Sequence, residues 1–199
     1  MKLWNTPAAG VIERSLLIVG VLLLGRWWMV AQEARAFQTW AAAVVDSTPA
    51  RQTTHGIVGR EHEIVGRILI PRLGASAMIA EGVAPATLRR AVGHIPTSAL
   101  PGEPGNVVLA AHRDTYFKGL GKLRRGDVVM LQTRRRTYRY EFEDAQVVDA
   151  DAVEVMRATL RPSLTLVTCY PFSMLGPAPR RYIVRATLAG SESGPLARR

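Results

Sequence analysis

The chain has one cysteine among its 199 residues, Cys169. A thiol becomes a nucleophile only where a base or a cation favours the thiolate. Cys169 closes the run Ser163-Leu164-Thr165-Leu166-Val167-Thr168 and precedes Tyr170-Pro171-Phe172. Pro171 turns Tyr170 away from helix and ends the strand, so Cys169 sits at a strand terminus, held by a sheet and open to a cleft. A free cysteine also serves as a small apolar filler, and position alone does not decide between the two. A partner base must come from His55, His62, His94 or His112. His55 and His62 lie in a polar stretch without a core pattern. His112 follows Asn106-Val107-Val108-Leu109-Ala110-Ala111 and is a second strand-end residue. His94 lies in a glycine-containing loop, Gly93-His94-Ile95-Pro96, and is the competing partner. Arg181 opens the last apolar run, where a guanidinium can hold a developing oxyanion. Strand alternation puts Arg181 and Arg185 on one face and Arg180 on the other. Thiol, imidazole and guanidinium together suit acyl transfer.

The elements that must position these groups begin at Ile64, where short β-branched runs alternate with Gly and Pro. The pattern predicts strands over Ile64–Ile70, Ala77–Glu81, Asn106–Ala111, Asp127–Thr133, Thr137–Val148, Ser163–Thr168 and Tyr182–Leu188. Short helices fit Pro85–Ala91 and Ala152–Leu160. This is the texture of a compact β-barrel or sandwich with helices in its connections. Asn106 and Gly105 set the turn into their strand, and Glu81 reads as a surface carboxylate. Arg134-Arg135-Arg136 reads as a solvated hairpin tip, and 191–199 as a flexible tail.

Composition narrows the rest. With 48% hydrophobic and 21% charged residues, most of the chain can bury a core. One cysteine excludes an intramolecular disulfide framework, cysteine-rich zinc modules and iron–sulfur clusters. The net charge of +10 is almost all arginine, and it admits nucleic acid, anionic lipid or an acidic polymer as partner. Ser15 to Gly25 carries no charge, and the apolar run resumes after Arg26 with Trp27 to Ala31. These residues give a helix of about 25 Å, enough for a thin bilayer, with Trp4, Trp27 and Trp28 at the interfaces. A cleaved signal ending at Ala34-Arg35-Ala36 is the rival, and a buried soluble helix fits the tryptophans poorly. Lys2 and Arg14 before the span nearly balance Arg35 and Arg51 after it, so charge alone leaves the orientation open. The expected organisation is residues 1–14 as N-terminus, 15–32 as transmembrane anchor, 33–62 as helical stalk, and 63–190 as the folded domain. In the stalk, Glu61-His62-Glu63 point to alternating faces and do not converge on one ion.

Three segments then resemble the sortase family in order and spacing: Asn106 to Thr115 around His112, Thr165-Leu166-Val167-Thr168-Cys169, and Arg181-Tyr182-Ile183-Val184. The resemblance spans about Ile64 to Ala189 and takes in Ile70-Pro71-Arg72-Leu73-Gly74 and Pro101-Gly102-Glu103-Pro104-Gly105-Asn106. Cys169-Tyr170-Pro171-Phe172 with Ala178-Pro179-Arg180-Arg181 is most similar to class D sortases. The resemblance implies a mainly-β fold: an eight-stranded sortase-type β-barrel with short connecting helices, preceded by an N-terminal transmembrane helix. It implies a single-pass cell-membrane protein with a cytoplasmic N-terminus and an extracytoplasmic catalytic domain. It also implies a cysteine transpeptidase that cleaves a C-terminal Leu-Pro-x-Thr-Gly-type sorting signal and passes the product to an amine, from a peptidoglycan precursor or a pilin lysine. Cys169 is then nucleophile, His112 acid and base, and Arg181 the oxyanion or substrate ligand. Thr168 takes part in substrate positioning or simply completes the strand. His94 resembles a second sortase histidine that shapes the site, or it is structural. No cofactor, metal or nucleic acid is implied. Some members bind calcium, but here Asp114 and Asp127 lie among Lys118, Lys122, Arg124 and Arg125, a poor cage for a hard cation. The carboxylates Asp144, Asp149, Asp151 and Glu154 read as a solvated edge. The rivals are a sortase-fold cysteine hydrolase and a non-catalytic, membrane-tethered module that binds an anionic polymer.

Overall fold

Eight strands close on themselves in the computed structural model, which describes residues 7–46, 63–174 and 176–193. They are β1 (Ile64–Ile70), β2 (Ala75–Glu81), β3 (Val92–His94), β4 (Asn106–Ala110), β5 (Val128–Gln132), β6 (Arg136–Asp149), β7 (Ser163–Tyr170) and β8 (Arg180–Ser193). Neighbours follow the order β1-β2-β3-β4-β7-β8-β6-β5, and closure leaves no free sheet edge. β2–β3 and β4–β7 run parallel, and the other pairs are antiparallel. Inward residues on alternate positions form the core, among them Ile68, Ile79, Leu109, Leu131, Tyr140, Leu164, Leu166 and Val184.

Seven strands lie where the alternation predicts them, and β3 is an addition. Its three residues include a glycine and are too few to show a period. Their partners define them instead: Ile79↔Val92 and Glu81↔His94 on one side, His94↔Leu109 on the other. His94 therefore belongs to a strand and not to a loop. The helix expected at Ala152–Leu160 is a single 3-10 turn, Val153–Met156, ending in an extended Arg157. The Asn106 amide explains this. Its Nδ2 donates to the carbonyls of Val155 and Arg157, while Oδ1 accepts from the hydroxyls of Ser163 and Thr165. Asn106 is buried and fully partnered, so it bolts the β6–β7 connection to β4 and β7 instead of only shaping a turn.

The helix α2 (Pro85–Arg90) matches its expected position. The arginine triplet lies at the β5–β6 turn, where Thr133 Oγ1 accepts from the backbone N–H groups of Arg135 and Arg136. β8 runs through Ser193, three residues into the expected tail, because the first residues of the long β6 pair with it (Arg136↔Ser193, Tyr138↔Ser191).

One helix, α1 (Pro7–Asp46), is continuous across the expected junction of anchor and stalk. It opens on proline, which is tolerated in a first turn. Residues 47–62 of the stalk, with His55 and His62, lie outside the described residues. The chain divides into two compact units at Ala36/Phe37. In the first unit the apolar side chains face outward, with Leu16, Leu17, Leu24 and Trp27 all exposed. In the second, Ala41 and Val45 of the same helix are buried against Met78. There Gln38 acts as a substitute strand residue: Oε1 accepts from Met78 N–H at 2.8 Å and Nε2 donates to the Arg90 carbonyl.

Candidate active site

The two strand-end residues are brought together by register. β4 and β7 pair from Asn106↔Ser163 to Ala110↔Val167. Beyond that ladder, Ala111 N–H still donates to the Val167 carbonyl, and the Thr168 hydroxyl donates to the Ala111 carbonyl at 2.8 Å. The same offset continued brings His112 level with Cys169. Across the antiparallel β7–β8 pair, Cys169 stands directly opposite Arg181. Leu164 and Leu166 of β7 and Val184 of β8 fill the core, so alternation turns Cys169 and Arg181 to the outer face of the barrel. All three residues are half-buried. Thiol, imidazole and guanidinium thus occupy neighbouring positions on one rim. Arg185 shares this face, opposite Thr165, while Arg180 does not.

The connection between β7 and β8 joins the two strand ends at this rim, where Tyr170 pairs with Arg180. Its Tyr170–Pro171 peptide bond is cis. Phe172 packs on Tyr182 with ring centroids 5.1 Å apart and edge-on to Tyr170 at 5.7 Å. Gly121 makes room for it, since a Cβ there would lie 3.1 Å from the Phe172 ring. Burial beside this aromatic group raises the Tyr182 phenol above its ordinary range. Arg181 Nη1 donates to the carbonyls of Ala178 and Arg180, each at 3.1 Å, leaving its other nitrogens for a ligand. Arg113 also reaches this connection: its Nη2 donates to the carbonyls of Met174 and Gly176. Its sequence neighbours gave no sign of this, because the acceptors are main-chain atoms far along the chain.

Thr168 and His94 stand apart from that trio. Both face inward. Thr168 is buried and its hydroxyl is spent on Ala111, so it ties the ends of β4 and β7 together. His94 is also buried, opposite Leu109, with Nδ1 2.9 Å from a Glu81 carboxylate oxygen and Nε2 3.0 Å from the Ala99 carbonyl. A carboxylate and a carbonyl both only accept, and the Ser98 hydroxyl, 3.0 Å from Nε2, gives its proton to the Ile95 carbonyl, so the geometry suits a ring protonated on both nitrogens. Burial works against that charge. The hydrogen bonds to Glu81 and Ala99, with the nearby charges of Glu81 and Glu103, outweigh it and raise the His94 pKa. Glu81 is accordingly a partner of His94, not a free surface carboxylate. Asp127, from the loop weighed for calcium, is bound by Arg72 and by the Arg124 N–H, and the Arg72 hydrogen bond holds its carboxyl below the usual range.

Comparisons with known proteins bear on the family and the fold. Residues 68–189 match the family model described as Sortase domain. Sortase D of Bacillus subtilis (strain 168) is 38% identical over 120 residues, covering 60% of this chain and 61% of that protein. The chain thus spans about three-fifths of the length of that curated relative. Among solved structures, a Clostridium perfringens Sortase D5 transpeptidase superposes with a TM-score of 0.68 at 26% identity, covering 78% of this chain and 98% of that one. The catalytic domain of B. anthracis SrtD gives a TM-score of 0.59 at 37% identity, covering 73% of this chain and 99% of that one. A family match over more than half the chain, on a closed eight-stranded barrel with this connectivity, leads to one conclusion: the chain belongs to the sortase family.

Proposed function

We propose that this protein is a membrane-anchored cysteine transpeptidase. In this reading it cleaves a C-terminal Leu-Pro-x-Thr-Gly-type sorting signal between Thr and Gly and joins the threonine to an amine. The observation that supports it is the register that sets Cys169 opposite Arg181 and, with the β4–β7 offset carried two residues past Ala110↔Val167, level with His112. The Cys169 thiolate attacks the threonine carbonyl carbon, and Arg181 and neighbouring backbone N–H groups hold the oxyanion that forms. Collapse breaks the C–N bond as His112 gives its proton to the departing glycine amine, leaving a thioester. An incoming amine then attacks, His112 takes its proton, and the thiolate leaves. A peptidoglycan precursor or a pilin lysine would supply that amine. The apolar part of α1 is long enough to span a bilayer and leaves its side chains outward. That supports a single-pass anchor, followed by a linker through residue 62; the resemblance to sortases adds a cytoplasmic N-terminus and a catalytic domain outside the cytoplasm.

The test uses the full chain in detergent micelles, quenched Leu-Pro-x-Thr-Gly-type peptides, and a reaction with and without an amine acceptor. Mass spectrometry should show the acceptor joined at threonine, with no product from Cys169→Ala or His112→Ala. Arg181→Ala should lose roughly 10²- to 10³-fold in kcat, as for other lost oxyanion donors, and Arg185→Ala far less. Free acid as the sole product under every acceptor would replace the transpeptidase by a hydrolase. Cleavage that survives Cys169→Ala would end both readings.

A further inference from the structure

Arg113 follows His112, and nothing in the proposed chemistry uses it. Its guanidinium nevertheless spans from the end of β4 to the β7–β8 connection, where Nη2 bonds two carbonyls, those of Met174 and Gly176. Nη1 of the same group is buried and, among the described residues, has no hydrogen-bond partner. A desolvated N–H donor left unpaired is costly and calls for a partner, which a bound peptide can supply. Arg181 donates to the Ala178 carbonyl of the same connection. Two arginines, Arg113 next to His112 and Arg181 of the candidate trio itself, therefore bond carbonyls of one segment.

We infer that Arg113 is a positioning residue: it latches the β7–β8 connection at the rim and offers Nη1 to a backbone carbonyl of the bound peptide. The inference rests on the transpeptidase reading for its substrate, but the latch is a property of the protein alone. Arg113 acts on peptide binding and leaves the Cys169–His112 proton chemistry to those two residues.

Two measurements on the full chain in micelles separate these parts. Hydrogen exchange is compared for wild type, Arg113→Ala and Arg113→Lys. The alanine variant should exchange roughly tenfold faster in peptides covering Phe172 to Pro179, with β1, β5 and β6 unchanged. Lysine, which can reach one carbonyl at a time, should fall between. Kinetics with the best sorting peptide should show KM raised roughly tenfold in Arg113→Ala, kcat within about twofold, and an unmoved pH profile of Cys169 alkylation. Unchanged exchange in the connection overturns the latch, whatever peptide is cleaved. Faster exchange with KM unchanged overturns the positioning role. A shifted alkylation profile overturns it too, since Arg113 would then act through the charge of His112. If the alanine variant does not fold, the lysine variant decides by the same criteria. A wild type that cleaves no sorting peptide defeats the transpeptidase reading and the peptide contact with it, while the exchange data still judge the latch.

Discussion

The Thr168 hydroxyl donates to the Ala111 carbonyl across 2.8 Å, so a single buried bond joins the residue before Cys169 to the residue before His112. The ladder between β4 and β7 ends just short of this point, and the bond extends the alignment of the two strand ends toward the rim. Thr168 acts from inside the barrel, where it is buried and its hydroxyl is committed to Ala111.

Thr168→Val keeps the shape and removes the donor, leaving the Ala111 carbonyl without it. The expected cost is about 1–3 kcal/mol of stability, read from the urea midpoint. The looser alignment of nucleophile and base should lower kcat/KM by roughly ten- to a hundredfold. Thr168→Ser, which keeps the hydroxyl, should recover most of both. Equal activity in the valine variant and wild type would show that the strand ends are aligned without this bond.

Cys169, His112 and Arg181 were legible because each lies at the end of an apolar run, and strand ends are where alternation is easiest to read. Their convergence depends on β4 and β7 being parallel neighbours despite lying far apart in the chain. No local pattern encodes that pairing. His94 was hidden because a strand of three residues has no period, and its partners are Glu81 and Leu109 from other strands. Asn106 and Arg113 were hidden for another reason: their acceptors include main-chain carbonyls, which look the same at every position of a sequence. The apolar span was evident, whereas the docking of Phe37 to Asp46 on the barrel was not. Gln38 makes that docking through the backbone of Met78 and Arg90.

Gln38 gives a second prediction. Gln38→Met preserves length but withdraws the acceptor from the buried Met78 N–H and the donor from the Arg90 carbonyl. The full chain should unfold at lower urea, with a loss of about 2 kcal/mol for two unmet backbone groups. A domain trimmed to begin at residue 63 lacks the whole segment and should be less stable than one beginning at Phe37. Equal midpoints for those two domains would mean that the segment rests on the barrel without supporting it.

His94 carries the pH dependence of the fold. Its folded pKa lies above the ordinary histidine value of 6.5, because the bonds to Glu81 and Ala99 outweigh burial. A group with a raised folded pKa contributes stability that is fully present below its unfolded pKa and is lost as pH rises through the folded one. His94→Gln should therefore be less stable than wild type at pH 5.5, with the gap narrowing as pH climbs above about 6.5. All other titratable groups are common to the two proteins, so the difference between them at each pH isolates His94 and its bond to Glu81. Melting temperatures across that range provide the measurement. A gap that stays constant or widens with pH would show that the buried ring is held neutral, and that Glu81 is bound for its hydrogen bond rather than its charge.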